Sequence, residues 1–243
     1  MSASIAAVIA AGGHGSRMGN TGNKLLLKIG GKTVIRRTLE IFDNLPLIKE
    51  IILVTAQDVS FVRELEGLKK LTKIVPGGKT RQDSVYNGIM AAEGYEFIAV
   101  HDAARPLVTN EIIENTIKKA FATGAAVTGV KVIDTIKTIK SENVVAYTPD
   151  RTELFAAATP QVFRRDVWLR EYHNNKFKAT DDVSVIEQKE KVSIVIGSRE
   201  NIKITTPFDI LVAEAILKSR EKAEKESGGK NREEKTDESR YRT

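Results

Sequence analysis

The sequence predicts an α/β fold built on a doubly wound, mostly parallel sheet. Three observations predict it. Apolar runs of strand length alternate with segments whose apolar positions recur at helical spacing, as far as about Val132. Two glycine turns, Gly12-Gly13-His14-Gly15 and Gly77-Gly78, follow such runs, as at the carboxyl ends of parallel strands where open α/β sheets bind ligands. Between Ile133 and Tyr147 the period changes to two, which marks a β-hairpin standing off the sheet.

Taken in order, Ile5 to Ile9 reads as a buried parallel strand that opens into the glycine loop from Ala10 to Gly19. Leu25 to Ile29 is a short apolar stretch stopped by Gly30-Gly31, and Thr33 caps a helix to about Asn44. Ile51 to Thr55 is the next strand. Asp58 begins a helix with Val59, Val62, Leu65 and Leu68 on one face, and Ile74-Val75 forms a short strand. The second glycine turn leads into a helix from Asp83 to about Glu93. Phe97 to Val100 is a strand, Thr109 to about Thr123 a helix, and Ala126 to Val132 a strand.

The hairpin turns at Ser141-Glu142-Asn143, and its exposed faces call for a second copy of the chain as cover. The main fold resumes with Leu154 to Phe163, helices from Arg165 to His173 and from Thr180 or Asp181 to Lys189, and a strand from Val192 to Ile196. A last helix starts at Pro207 or Phe208 and passes Leu217. Residues 1–218 thus form one domain, with an arm at about 133–152. Residues 219–243 are charged, have few apolar side chains and are predicted to form a tail without structure.

Composition narrows the function. With 243 residues the chain can bury a large core, and the absence of cysteine excludes disulfides and thiolate metal sites, which suits a cytoplasmic protein. There is no apolar run of membrane-spanning length and no signal-peptide pattern at the N-terminus. A net charge of +6 permits nucleic-acid binding, but Lys and Arg are dispersed among nearly as many Asp and Glu. The stacking platforms of a single-strand binder are missing. An anionic small substrate accounts for the excess equally well.

The first loop matches neither common phosphate motif. Met18 stands where a dinucleotide fingerprint needs its third glycine, and the spacing to Lys24 does not make a Walker A loop. Its glycines nevertheless admit a phosphate close to backbone N–H groups, with Arg17 and Lys24 as cationic donors. Asp102 and Arg105 flank a loop at a strand end; Asp102 can contact sugar hydroxyls or a metal ion, and Arg105 phosphate, or the two can simply pair. His101 reads as a structural neighbour rather than a base. Arg17, Lys24, Arg105, Arg151 and Lys203 all fall in loops or strand ends that this fold sends to one edge, and two phosphorylated ligands need about that much charge.

From Ile5 to about Leu217 the chain resembles the 2-C-methyl-D-erythritol 4-phosphate cytidylyltransferases of the non-mevalonate isoprenoid pathway. The resemblance is carried by the Ala10-Ala11-Gly12 loop through Arg17-Met18, by Gly77-Gly78 with Arg81 and Asp83-Ser84-Val85, and by His101-Asp102-Ala103-Ala104-Arg105-Pro106. Asp134-Thr135, Asp150-Arg151, Thr159-Pro160-Gln161, Thr180-Asp181 and Asn201-Ile202-Lys203-Ile204-Thr205 continue it. It implies a Rossmann-like nucleotidyltransferase fold, a homodimer built through the arm, and Mg²⁺-dependent transfer of CMP from CTP to the polyol phosphate, with the metal held mainly by the CTP phosphates. A ribitol 5-phosphate cytidylyltransferase is the alternative within the class, and a non-catalytic nucleotide-binding or RNA-binding protein the alternative outside it.

By the same resemblance Arg17 and Lys24 are the transition-state stabilisers. Ala10, Ala11, Gly12, Gly78, Asp83, Ser84, Asp102 and Ala103 are the nucleotide contacts. Arg105, Thr135, Arg151, Thr159, Thr180 and Lys203 hold the polyol phosphate, with Arg151 and its neighbours reaching in from the partner subunit. The family usually presents its lysine in Pro-Lys-Gln, whereas here it is Asn23-Lys24-Leu25; losing proline is expected to loosen the preset φ before the lysine.

Overall fold

The strands, in chain order, are β1 (Ile5–Ala10), β2 (Lys28–Ile29), β3 (Lys32–Thr33), β4 (Glu50–Thr55), β5 (Leu71–Pro76), β6 (Phe97–Asp102), β7 (Ala125–Lys131), β8 (Thr138–Ile139), β9 (Val145–Tyr147), β10 (Phe155–Arg164) and β11 (Val192–Ile196). The helices are α1 (Val34–Asn44), α2 (Arg81–Ala91), α3 (Asn110–Thr123), α4 (Arg165–Asn174) and α5 (Pro207–Glu238). This computed structural model describes residues 3–12, 23–55, 62–140, 143–174 and 179–238.

Seven strands form the central sheet in the order β11-β7-β10-β6-β1-β4-β5, every neighbouring pair parallel except the two that flank β10. The buried β1 explains the order. Ile5, Ala7 and Ile9 face one layer and Ala6 and Val8 the other, so β1 needs a strand on each edge and helices on both faces. The chain winds from β1 to β4 and β5 on one side, then crosses back to β6 on the other. This reversal leaves a switch point between β1 and β6, where Ala10 pairs in register with Asp102.

Helices α1, α3 and α5 cover one face, and α2 and α4 the other. Thr33 caps α1 as expected, its hydroxyl accepting the Arg36 N–H at 3.3 Å, and contributes about 1 kcal/mol. Ile35, Leu39 and Phe42 then line up at helical spacing, fully buried, each stabilising the fold by about 1.5–3 kcal/mol relative to exposure. On the opposite face, Gly88 lets α2 lie close to the sheet. A Cβ there would stand 2.4 Å from Val8 Cγ1 and 2.7 Å from Val54 Cγ2.

Several expectations differ from the structure. Leu25 to Ile29 divides into a 3-10 turn at Lys24–Leu26 and strand β2, which pairs with β3 across Gly30-Gly31. Both glycines have positive φ (53° and 78°), as a tight two-residue hairpin requires. Of the helix expected from Asp58, residues 58–61 lie outside the described residues. The remainder is a 3-10 turn, Val62–Leu65, ended by Gly67 at φ 76°.

The helix expected from Thr180 or Asp181 to Lys189 is reduced to a 3-10 turn, Val183–Val185, with Gln161 Oε1 accepting the N–H groups of Asp182 and Val183 at its start. Helix α5 runs on to Glu238, into the segment read as a tail. Its Lys, Glu, Arg and Ala are good helix formers, and Lys222 and Glu226 approach to 3.8 Å at i,i+4 spacing.

The period-two segment is the hairpin β8-β9, joined to the body at β7 and β10. Asn143, at φ 61°, supplies the left-handed residue of its turn. Its Ile133, Ile139, Val144 and Tyr147 side chains are exposed.

Candidate active site

At the switch point the sheet presents four strand ends. Ala10 closes β1; its carbonyl accepts the Ala103 N–H at 3.0 Å, and the Ala11 N–H donates to Val54 O at 2.7 Å. Gly12 follows. Gly77 N–H donates to Thr55 O at 2.7 Å and fixes the second glycine turn beside the first. In that turn Ser84 Oγ accepts the Gly78 N–H at 3.0 Å and donates to Thr80 O at 2.9 Å. Gly78 must be glycine, since a Cβ would stand 2.3 Å from Asp83 Cβ and 2.9 Å from the Asp83 carbonyl carbon.

Asp102 ends β6, with its side chain 9% exposed, and three cations converge on it. Lys203 Nζ lies 2.7 Å from Oδ2, Arg81 Nη2 3.2 Å from Oδ1, and Arg105 Nε 3.6 Å from Oδ2. Burial opposes the carboxylate's charge, but Arg81, Lys203 and Arg105 outweigh it and hold the group well below the usual carboxylate range. Arg105 is itself lowered by burial, against the pull of Asp102. Its Nη1 donates to Asn201 O at 2.8 Å, while the buried Nε makes no hydrogen bond. The site therefore keeps a guanidinium with donor capacity to spare beside a lysine, a pairing suited to phosphate.

Lys24 enters from the other wall. Its Nζ donates to Ile204 O at 3.0 Å, one residue beyond Lys203, and Ile204 N–H donates to Ala104 O at 2.8 Å. The Asn201 to Ile204 segment thus joins Lys24, Arg105, Lys203 and Asp102. Asn23, in the place of the family's proline, sits at φ −74°, near proline's fixed value, and its Oδ1 accepts the Leu25 N–H at 3.1 Å.

His101 is structural, in agreement with the sequence reading. It is fully buried, packs on Phe42 with ring centroids 4.9 Å apart, and lies between Arg105 O and Thr159 Oγ1, each at 3.1 Å. The carbonyl can only accept, so Nε2 carries the proton, and Nδ1 accepts from the Thr159 hydroxyl. Burial lowers the His101 pKa to about 4. Between 6.5, its ordinary value, and about 4 the unfolded chain binds the extra proton, so stability falls as pH drops through this window, by about 3 kcal/mol in full. His101→Gln retains one donor and one acceptor without a titrating ring, and is expected to flatten this decline. Thermal midpoints of both proteins across that range check it; parallel curves would refute the role.

The remaining expected contacts have the following surroundings. Thr159 is buried, its hydroxyl shared between His101 and the Asp102 N–H at 3.1 Å, so it supports Asp102 from behind. Ala103 is fully buried, with its N–H on Ala10 O and its carbonyl on the Thr38 hydroxyl. Asp83 serves the α2 cap: it accepts the Thr80 N–H at 3.1 Å and the Tyr172 hydroxyl at 3.1 Å. Thr180 is exposed in the bend before Asp181. Thr135 and Arg151 stand on the exposed arm, where Arg151 Nη1 donates to Ile133 O at 2.7 Å. Arg17 lies outside the described residues, as do the neighbouring glycines Gly13 and Gly15.

The structure also adds residues that the sequence reading left out of the site. Arg81 grips Asp182 with both Nη atoms, at 2.7 and 2.8 Å, while reaching Asp102. Burial works against the Arg81 charge, but Asp182 and Asp102 raise its pKa above the usual value. Asp182 is 2% exposed and fixed by Gln161 and by Trp168 Nε1, which donates to its carbonyl at 2.8 Å. Arg81 could have been suspected from its place in the second glycine turn. Asp182, 101 residues away, gave no such signal.

A site of this geometry has known counterparts. The family model described as 2-C-methyl-D-erythritol 4-phosphate cytidylyltransferase (IspD) matches residues 5–219. A protein of that name from Alkaliphilus oremlandii is 41% identical over 88% of this chain and 94% of its own. Another from Caldanaerobacter subterraneus subsp. tengcongensis is 43% identical over 88% of this chain and 99% of its own. The crystal structure of 4-diphosphocytidyl-2C-methyl-D-erythritol synthase from Anaerococcus prevotii superimposes with a TM-score of 0.79 at 33% identity, covering 89% of this chain and 96% of that one. With the model matched almost from end to end of the folded body, the chain belongs to the 2-C-methyl-D-erythritol 4-phosphate cytidylyltransferase family.

Proposed function

We propose that the chain transfers CMP from CTP to 2-C-methyl-D-erythritol 4-phosphate, giving 4-diphosphocytidyl-2-C-methyl-D-erythritol and pyrophosphate, as a cytoplasmic homodimer in isoprenoid precursor synthesis. The observation that carries this reading is the convergence of Arg81, Arg105 and Lys203 on Asp102 at the switch point, with Lys24 anchored one residue beyond Lys203.

In the reaction an oxygen of the polyol phosphate attacks the α-phosphorus of CTP in line. A new P–O bond forms, the α–β bridging bond breaks, and pyrophosphate leaves with the electron pair. A phosphate monoester with a second pKa of about 6 is already ionised at neutral pH, so the site needs no general base. Its work is to align two anions that repel each other and to stabilise the charge of the transition state. Lys24 and Arg17 serve the triphosphate, and Arg105 and Lys203 the acceptor phosphate. The glycine turns at Gly12 and Gly78 receive the nucleoside.

Mg²⁺ fits this arrangement as an ion brought in on the triphosphate. Among the described residues no three His, Cys, Asp or Glu side chains are grouped to hold a metal, and Asp102 is the carboxylate at the strand end that would share it. The metal would screen the triphosphate charge. Among the described residues no helix is long and apolar enough to cross a membrane.

Pyrophosphate release from CTP with Mg²⁺, measured against the methylerythritol phosphate and ribitol 5-phosphate in turn, tests the reading. Release with the first is expected; release with the second alone would reassign the acceptor, and release with neither would remove the activity. The exposed Ile133, Ile139, Val144 and Tyr147 of the arm support a dimer in which Arg151 and Thr135 serve the partner's site. Arg151→Ala is then expected to weaken acceptor binding while leaving CTP binding nearly intact, as read by calorimetric titration of each. Equal loss of both would contradict the role.

A further inference from the structure

We propose that the Arg81–Asp182 pair sets how firmly Asp102 holds Lys203, and thereby tunes the affinity of the site for its phosphorylated acceptor. Arg81 and Asp182 are then positioning residues, and the inference deepens the functional reading above, on which it rests.

Four charges of alternating sign run in a line from the interior to the site. Asp182 binds Arg81 at 2.7 and 2.8 Å, Arg81 Nη2 reaches Asp102 Oδ1 at 3.2 Å, and Asp102 Oδ2 holds Lys203 at 2.7 Å. Asp102 is thus shared, with Arg81 on Oδ1 and with Lys203 and, at 3.6 Å, Arg105 Nε on Oδ2. The more of its charge Arg81 engages, the less remains for Lys203.

A dianionic acceptor must draw Lys203 away from Asp102 before the ammonium can serve it. Asp182 competes with Asp102 for Arg81 and, through it, leaves Lys203 more tightly paired. Asp182 cannot follow any shift of the guanidinium. Gln161 Oε1 accepts its N–H at 2.9 Å, Trp168 donates to its carbonyl, and its side chain is almost wholly buried.

The two positioning residues therefore act with opposite sign. Asp182→Asn leaves Arg81 wholly to Asp102, releases Lys203 and strengthens acceptor binding. Arg81→Lys acts the other way. A lysine presents one point charge and cannot span both carboxylates, and it stays with Asp182, for which no other cation partner is found among the described residues. Asp102 then closes on Lys203, and acceptor binding weakens.

The test is steady-state kinetics of the full chain with each substrate varied, together with calorimetric titration of inorganic phosphate as the simplest probe of Lys203 and Arg105. The acceptor KM is expected to fall about threefold or more in Asp182→Asn and to rise by a similar factor in Arg81→Lys, with the CTP KM nearly constant. Inorganic phosphate should follow the same order. A purely structural pair would weaken both ligands together in both variants, and that outcome, or shifts of the same sign in the two variants, would overturn the proposal. Absence of pyrophosphate release from the unsubstituted enzyme would instead sink the functional reading, while the phosphate titration would still decide the positioning role.

Discussion

Lys24→Ala is expected to lower turnover by about 10²-fold or more, the loss found when one preorganised donor is taken from a developing oxyanion. Lys24 stands at the head of a 3-10 turn whose φ is set by Asn23, and its ammonium is aimed by a hydrogen bond to Ile204 O at 3.0 Å. Its charge is therefore oriented before the triphosphate arrives and needs little reorganisation during the reaction. Folding should be little affected, because Leu25, not Lys24, carries the buried contact of this turn. Pyrophosphate release at saturating CTP and acceptor, set beside the thermal midpoint, measures both. Turnover within a few-fold of the unsubstituted enzyme would remove Lys24 from the transition state.

Arg81→Ala is expected to cost about 2–4 kcal/mol of stability. Removing one partner of a buried ion pair leaves an uncompensated charge: Asp182, with its side chain 2% exposed, is stranded, while Asp102 keeps Lys203 at 2.7 Å and Arg105 at 3.6 Å. The figure is set below the full cost of a wholly buried pair because the Arg81 side chain is 36% exposed, so solvent already screens part of the attraction. Removing the stranded charge as well should help: the double variant Arg81→Ala with Asp182→Asn is expected to recover part of the loss. Denaturant unfolding of the three variants reads the difference. A single variant within about 0.5 kcal/mol of the parent would show that the pair contributes little.

The fold was legible because its signals are local. Thr33 before an apolar face announces α1, the period-two stretch after Ile133 announces the arm, and the runs at Ile5, Ile51 and Phe97 announce strands buried on both faces. The helix expected from Asp181 is only a short 3-10 turn, tied at its start to Gln161, 21 and 22 positions earlier, a contact that local propensity does not show. The site was legible as a set of cations at strand ends, but not as a network. Nothing in the neighbourhood of Thr159 reveals that its hydroxyl is shared between His101 and the Asp102 N–H, 57 residues away in the chain. The Arg81–Asp182 contact in the same way joins residues 101 positions apart.

The hydrogen bond from Lys24 to Ile204 joins residues 180 positions apart, and this has a consequence for the order in which the protein becomes competent during synthesis. By the time β6 has emerged from the ribosome, β1, β4, β5 and β6 can already pair, and both glycine turns exist. Lys203 and the carbonyl that aims Lys24 are among the last parts of the folded body to be made. A nascent or prematurely ended chain can therefore carry most of the sheet and the Gly12 and Gly78 turns while lacking the segment to which the proposed function assigns the second substrate. Competence for transfer arrives only when the segment leading into α5 closes against Ala104.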